Sequence, residues 1–217
     1  MSLFYVTVRS AAGTTPADLS KLFKPSQFKS LSATQHFYLY RATDLQGAGK
    51  GKPEWMMMYE MAMDESKSQQ SIMNEIKSIV SNPGIEMYRQ GLYSLQTSKS
   101  SSTFSSLNFH IASNFLVAVF IRLHPGRKEE FDRYYAEEHM DALMKVPGWR
   151  RTRRFVTTGL PEDEAECLAL HDYDLENGLG GEEFKHATTT MWYKDMMVNA
   201  VMSKDRRTYE LCSEVLS

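Results

Sequence analysis

Cysteine is scarce in this sequence. Cys167 and Cys212 are the only two, and they stand far apart. Such a pair builds no disulfide framework and no zinc-ligand spacing, and it suits a reducing compartment. An excess of charge is missing as well. The formal net charge is −2, which gives no electrostatic case for a nucleic-acid or polyanion partner. No apolar run approaches the roughly 18 residues a membrane-crossing helix needs, so no membrane partner is expected. The opening MSLFYVTVRS has neither a basic leader nor a long apolar stretch, which predicts no signal peptide and a cytoplasmic location. Dinucleotide, P-loop, nucleophile-elbow and zinc-protease motifs are all missing. His124 and His186 lack ligand partners at useful spacing and His110 follows a polar run, so no metal site is expected.

What remains is ordinary globular material. At 217 residues and 42% hydrophobic content, the chain has room for one large domain or two small ones. The 14 methionines suit irregular core gaps or adaptable apolar surfaces. The sharpest break in composition is the Ser/Thr/Lys run over residues 97–106, which reads as a flexible linker.

The two flanks of that run look alike. Before it, strand-like runs at 3–8, 36–41, 54–63 and 91–95 enclose a polar helix-prone stretch and a helix at 65–80. After it come strands at 115–122, 149–156, 166–173 and 208–215, with helices at 128–145 and 182–202. A shift of 112 positions carries Leu3 onto Phe115, Phe37 onto Trp149, Glu54 onto Glu166 and Tyr59 onto His171. A repeat of this length is a duplicated domain rather than a solenoid unit. The division expected is 1–97 for the first repeat, 98–113 for the linker and 114–217 for the second.

Strand, helix, strand, strand, helix, strand is the ferredoxin-like order, an α+β arrangement with both helices on one face of an antiparallel sheet. The other face is too apolar to leave wet, so two such sheets are expected to pack on each other around a cavity. The second half carries the better local signals. Pro125-Gly126 marks a turn, 128–145 is rich in helix formers, and Phe131, Tyr135, Ala142 and Val146 share one stripe of that helix. Pro147-Gly148 stops it. In the first half Pro25 interrupts the matching segment, predicting a short or broken helix.

Residues 131–155, FDRYYAEEHMDALMKVPGWRRTRRF, hold an aromatic pair, then Glu-Glu-His, then Pro-Gly-Trp-Arg. This pattern resembles the EthD-like branch of the dimeric α+β barrel superfamily. The resemblance covers the second half well and the first only in outline. It implies a single-chain dimeric α+β barrel made from a fused tandem repeat, with a small-molecule pocket. Members of the superfamily include cofactor-free monooxygenases, cyclases, isomerases, decarboxylases, dehydratases and haem-binding enzymes, so the reaction stays open. His139 matches the family histidine, and the negative end of its helix would favour protonation.

Strand alternation adds further candidates. Cys167, Ala169, His171 and Tyr173 share one face of their strand, with Leu168, Leu170 and Asp172 on the other. The leucine face is expected to meet the helices, leaving His171 to face Tyr59 across a cavity. His139, His171 and Tyr59 are therefore the catalytic candidates. Tyr38, Tyr40, Tyr5, Tyr135, Trp149 and Arg150 are the substrate-binding candidates. The remaining arginines of Trp149–Arg154 are expected to pair with acids such as Glu137, Glu138 and residues 162–166. Gln27 stands where the first half would need its histidine, so a single active pocket is expected.

The expected function is a cofactor-independent enzyme of secondary or aromatic metabolism. It would act on a polyketide-like or phenolic small molecule through His/Tyr acid–base chemistry, as a lyase or isomerase (cyclase, dehydratase or decarboxylase). A cofactor-free monooxygenase and a non-catalytic ligand-binding or stress-response barrel are the alternatives. No cofactor is expected, although one axial histidine suffices for haem. The chain is expected to act as a monomer, being a pseudo-dimer already, or as a homodimer.

Overall fold

The computed structural model describes residues 1–31, 34–47, 49–62, 69–80, 84–104, 114–161 and 164–216. The first half runs β1 (Ser2–Ser10), α1 (Pro16–Leu22), β2 (Thr34–Ala42), β3 (Trp55–Met61), α2 (Gln69–Val80) and β4 (Ile85–Ser100). The second runs β5 (Phe115–Leu123), α3 (Lys128–Tyr134), a π-helical turn Tyr135–His139, α4 (Met140–Leu143), β6 (Trp149–Thr157) and β7 (Glu166–Tyr173). It continues with α5 (Glu182–Ala187), α6 (Met191–Asp195), a second π-helical turn Met196–Ala200 and β8 (Val201–Leu216).

The chain divides into two compact units. One holds Met1–Leu95, Thr157–Gly159 and Arg207–Ser217; the other holds Gln96–Val156 and Leu160–Arg206. In the middle of the chain the division falls between Leu95 and Gln96. The last residues of β8 belong to the first unit.

In the first unit the strand order is β4-β1-β3-β2, with the end of β8 beside β2. Tyr59 of β3 pairs antiparallel with Phe4 of β1 and Phe37 of β2. Alternation sends Phe4, Val6, Val8, Phe37, Leu39, Met57 and Tyr59 to the face that α1 and α2 cover. There they bury against Leu19, Phe23, Ile72 and Ile76. Each such large apolar side chain contributes about 1.5–3 kcal/mol by leaving water. The segment after β1 is short and broken, as Pro25 predicts. Helix α1 spans seven residues behind a Thr15–Asp18 capping box, then gives way to the 3₁₀ turns Pro25–Gln27 and Lys29–Leu31.

In the second unit the order is β8-β5-β7-β6, with the end of β4 beside β6. Both units thus arrange their own four strands in the same ferredoxin-like sequence. The helical layer here packs on Val117, Val119, Ile121, Cys167, Ala169 and Tyr173. Phe131, Tyr135, Ala142 and Val146 all enter this core, so the stripe read from the sequence is real. Gly148 closes the turn between α4 and β6 with φ +78, a conformation that favours glycine, and a Cβ there would sit 2.7 Å from the Glu176 carbonyl oxygen.

Several expectations are corrected. The face of β7 that meets the helices carries Cys167, Ala169 and Tyr173, not the leucines. The polar run after residue 97 is not flexible linker throughout, since β4 extends to Ser100; residues 105–113 lie outside the described residues. The helix expected at 182–202 is broken at Thr188–Thr190 and ends in the π-helical turn, and β8 begins at Val201 rather than 208. The start of the helix expected at 65–80 also lies outside the described residues. Among the described residues no helix is long and apolar enough to cross a membrane.

Candidate functional site

A cavity of about 540 Å³ opens in the second unit between its sheet and its helical layer. Its floor is Val117, Val119 and Ile121 of β5 with His171 and Tyr173 of β7. Its helical wall carries Tyr134, Tyr135, His139 and Leu143, and Tyr193 and Met197 come from the later helices. Lys204 and Arg206, two apart on β8 and so on one face of the strand, complete it. This volume suits a ligand of moderate size. It lies under the helices, not on the opposite face of the sheet where the sequence reading places it.

The π-helical turn builds the helical wall. Its i→i+5 hydrogen bonding widens the helix and brings residues five apart onto one side. The His139 ring accordingly stacks on Tyr134, with centroids 5.1 Å apart and planes at 25°. It also meets Tyr135 edge-on at 4.9 Å. Nδ1 of His139 is buried and has no hydrogen-bond partner among the described residues. Burial lowers the His139 pKa to about 4, the Lys204 charge pushes the same way, and a backbone hydrogen bond to Ala187 acts against them. The helix-end protonation expected from the sequence is therefore overruled by desolvation, and the ring is neutral at neutral pH.

His171 is the second imidazole. Its Nδ1 lies 2.9 Å from the Thr152 hydroxyl, which accepts a 3.0 Å hydrogen bond from the Trp149 indole N–H. Burial holds its pKa well below the ordinary histidine value, reinforced by the neighbouring His139, Arg206 and Lys204. The phenols are shifted too. Burial raises Tyr135 to about 12, although the Arg154 guanidinium 4.2 Å from its ring centre pulls it down. Burial also raises Tyr134 and Tyr173. These tyrosines enter the site as neutral donors, not as phenolates.

The cavity wall thus carries neutral imidazoles, neutral phenols and two cations. None of the residues that line it is Asp or Glu. Such a wall favours a ligand with an anionic oxygen. Among the described residues no cluster of three or more His, Cys, Asp and Glu is placed to hold a metal ion.

Of the residues singled out from the sequence, the structure brings together His139, His171 and Tyr135. Tyr59 is elsewhere. It occupies in the first unit the helix-facing place on the third strand that His171 has in the second, and its hydroxyl donates 2.7 Å to the Phe23 carbonyl. Tyr5, Tyr38 and Tyr40 are also in the first unit, buried on the sheet face away from its helices. They do not line the cavity. Trp149 is buried behind Thr152, one step removed from the ligand space. Arg150 is held by Asp174 at 2.8 Å, outside the cavity. The other arginines pair with aspartates rather than the expected glutamates: Arg151 and Arg153 with Asp172, and Arg154 with Asp132. The sequence reading missed Lys204 and Arg206 because it left KDRR between the expected helix at 182–202 and the expected strand at 208–215. Recognising the strand would have put both on one face. Tyr134 belongs to the aromatic pair of the 131–155 motif, whereas Thr152 and Tyr193 gave no signal apart from their residue type.

No family model matches this sequence, and no curated protein sequence does. Solved structures do resemble its fold. An anthrone oxidase-like protein superposes with a TM-score of 0.55 at 11% identity, covering 99% of this chain and 93% of its own. Chlorite dismutase from Candidatus Nitrospira defluvii, in complex with imidazole, gives 0.59 at 8% identity, covering 98% and 91%. A monooxygenase-like protein from Listeria innocua gives 0.50 at 13% identity, covering 97% and 94%. At such identities the likeness shows a shared α+β fold over the whole chain, and the chemistry must be argued from the residues of the cavity.

Proposed function

We propose that the cavity of the second unit is the active site of a cofactor-independent enzyme that removes a proton from a phenolic or polyketide-like small molecule. The observation that carries this reading is His139: a neutral imidazole in the wall of a cavity that also holds two cations, with no Asp or Glu among its described lining residues. His139 acts as the base. The cations stabilise the enolate or phenolate that forms, and the neutral phenols of Tyr134 and Tyr173 add donors.

The fate of that anion decides the reaction class. Expulsion of water, loss of carbon dioxide or reprotonation elsewhere makes the protein a dehydratase or cyclase, a decarboxylase or an isomerase. Direct reduction of dioxygen by the electron-rich anion makes it a monooxygenase. The second outcome draws support from the fold neighbours described as anthrone oxidase-like and monooxygenase-like. The repeated strand order supports descent from a duplicated unit of the dimeric α+β barrel superfamily, and the Tyr135…His139…Pro147-Gly148 pattern supports its EthD-like branch.

The test is incubation of the protein with a panel of anthrones, polyketide-type enols and simple phenols, with and without air. Products are followed by mass spectrometry and oxygen uptake by electrode. Turnover by wild type and its loss in His139→Gln is the expected result. Oxygen-dependent product assigns the monooxygenase, and oxygen-independent product the lyase or isomerase. Equal turnover in the variant, or binding of the panel without turnover, overturns the assignment. A haem absorption band in the purified protein would also replace it.

A further inference from the structure

The hydrogen bonds behind His171 fix more than its position. Thr152 and His171 stand opposite each other in the β6–β7 ladder, and the Thr152 hydroxyl is fully buried. A threonine hydroxyl has one proton to give and lone pairs to accept with. An indole N–H donates only, so Trp149 occupies one lone pair of the Thr152 oxygen, at 3.0 Å. Among the described residues, the acceptor within reach of the hydroxyl proton is Nδ1 of His171, at 2.9 Å. Were Nδ1 to carry the proton instead, the hydroxyl would accept twice and its own proton would be buried without an acceptor, the costlier arrangement. Nδ1 is therefore the acceptor, and the proton of the neutral ring resides on Nε2. His171 lines the cavity, whereas Thr152 and Trp149 do not.

We propose that the Trp149–Thr152 relay holds His171 as an obligate Nε2–H donor, so that the cavity is a binding site for an oxyanion (a phenolate, enolate or carboxylate oxygen) received by His171 together with Lys204 and Arg206. The two histidines then have opposite parts. His139 accepts a proton; His171 presents an N–H and donates a hydrogen bond. Both are neutral at rest; His139 becomes the imidazolium when it takes the ligand's proton, whereas His171 gives only a hydrogen bond and stays neutral. Thr152 is a positioning residue, acting on the ligand through the tautomer of His171. This inference rests on the cavity being the ligand site, and it adds the chemical class of the group that the site receives.

Two measurements test it on the full chain, and the first needs no ligand. In protein labelled with nitrogen-15 at histidine, long-range proton–nitrogen correlations distinguish an Nε2–H ring from an Nδ1–H ring. Wild type and Thr152→Ser should both show His171 as Nε2–H. An Nδ1–H signature for His171 in wild type overturns the proposal, whether or not the protein is an enzyme. The second measurement titrates 4-nitrophenolate at a pH where it is ionised, reading its visible absorbance. Thr152→Ser should bind like wild type, and His171→Phe and Thr152→Val should each bind about tenfold more weakly. Equal binding by a folded His171→Phe, or failure of wild type to bind the phenolate while showing the Nε2–H ring, removes the oxyanion role. Thr152→Ser keeps the test decisive if Thr152→Val fails to fold.

Discussion

The ring of His139 lies nearly parallel to that of Tyr134, five residues before it, at a centroid separation of 5.1 Å. That relationship exists because one helical turn, Tyr135–His139, is π rather than α. It holds an imidazole flat against the aromatic wall of the cavity, and the proposed chemistry depends on it.

Replacing His139 by Gln should lower turnover of the proton-transfer reaction by about 10²–10⁴-fold, the usual worth of a positioned base. Binding of the ligand should change far less, because the oxyanion end is held by other residues. Steady-state kinetics beside equilibrium titration separates the two effects.

Stability should fall as the solution is acidified. The His139 pKa is depressed from 6.5 in the unfolded chain to about 4 in the folded one, so the unfolded chain binds the proton first. The protein is therefore at full strength above pH 6.5, and it weakens as pH drops through the window from 6.5 to 4. His171 is shifted in the same direction. Each histidine adds a slope of at most about 1.4 kcal/mol per pH unit. Urea melts between pH 7.5 and 4.5 should show this loss, and His139→Gln should flatten part of it.

Tyr59→Phe should cost about 1 kcal/mol and leave turnover unchanged. The lost hydroxyl donates to the Phe23 carbonyl in the helix-facing core of the first unit, and a buried neutral hydrogen bond contributes about that much. A large fall in activity at full stability would return Tyr59 to the catalytic set.

Asp172→Ala should destabilise the protein by about 3 kcal/mol, measured by denaturant melts. Asp172 is buried and accepts from both Arg151, at 2.8 Å, and Arg153, at 3.3 Å. Removing it leaves the buried Arg153 cation without this partner. A change under 1 kcal/mol would show that other contacts carry the two arginines.

Gly148→Ala should cost more than Gly126→Ala. Both glycines have positive φ, +78 and +75. A Cβ at Gly126 meets nothing within 4 Å, whereas one at Gly148 falls 2.7 Å from the Glu176 carbonyl oxygen. Gly126→Ala should lose about 1 kcal/mol from backbone strain alone. The additional loss at Gly148 reports the clash, and comparing melting temperatures of the two variants measures it.

Sequence alone determined the α+β class, the order of strands and helices in each half, the broken first helix and the inward stripe from Phe131 to Val146. Those follow from periodicity and from proline and glycine, which act within a few residues of chain. It also brought forward His139, His171 and Tyr135, since residue type and alternation are local signals. Tertiary structure decided the rest. Which face of β7 turns to the helices depends on what packs there, and alternation is silent on that choice; so His171 meets the helices and Tyr59 is sealed against Phe23. The π-helical turn has no signature in the sequence, because an extra residue in one turn is tolerated only where packing repays the strained hydrogen bonds. Lys204 and Arg206 reach the cavity because β8 starts at Val201, and strand pairing with β5, not the charged residues themselves, sets that start.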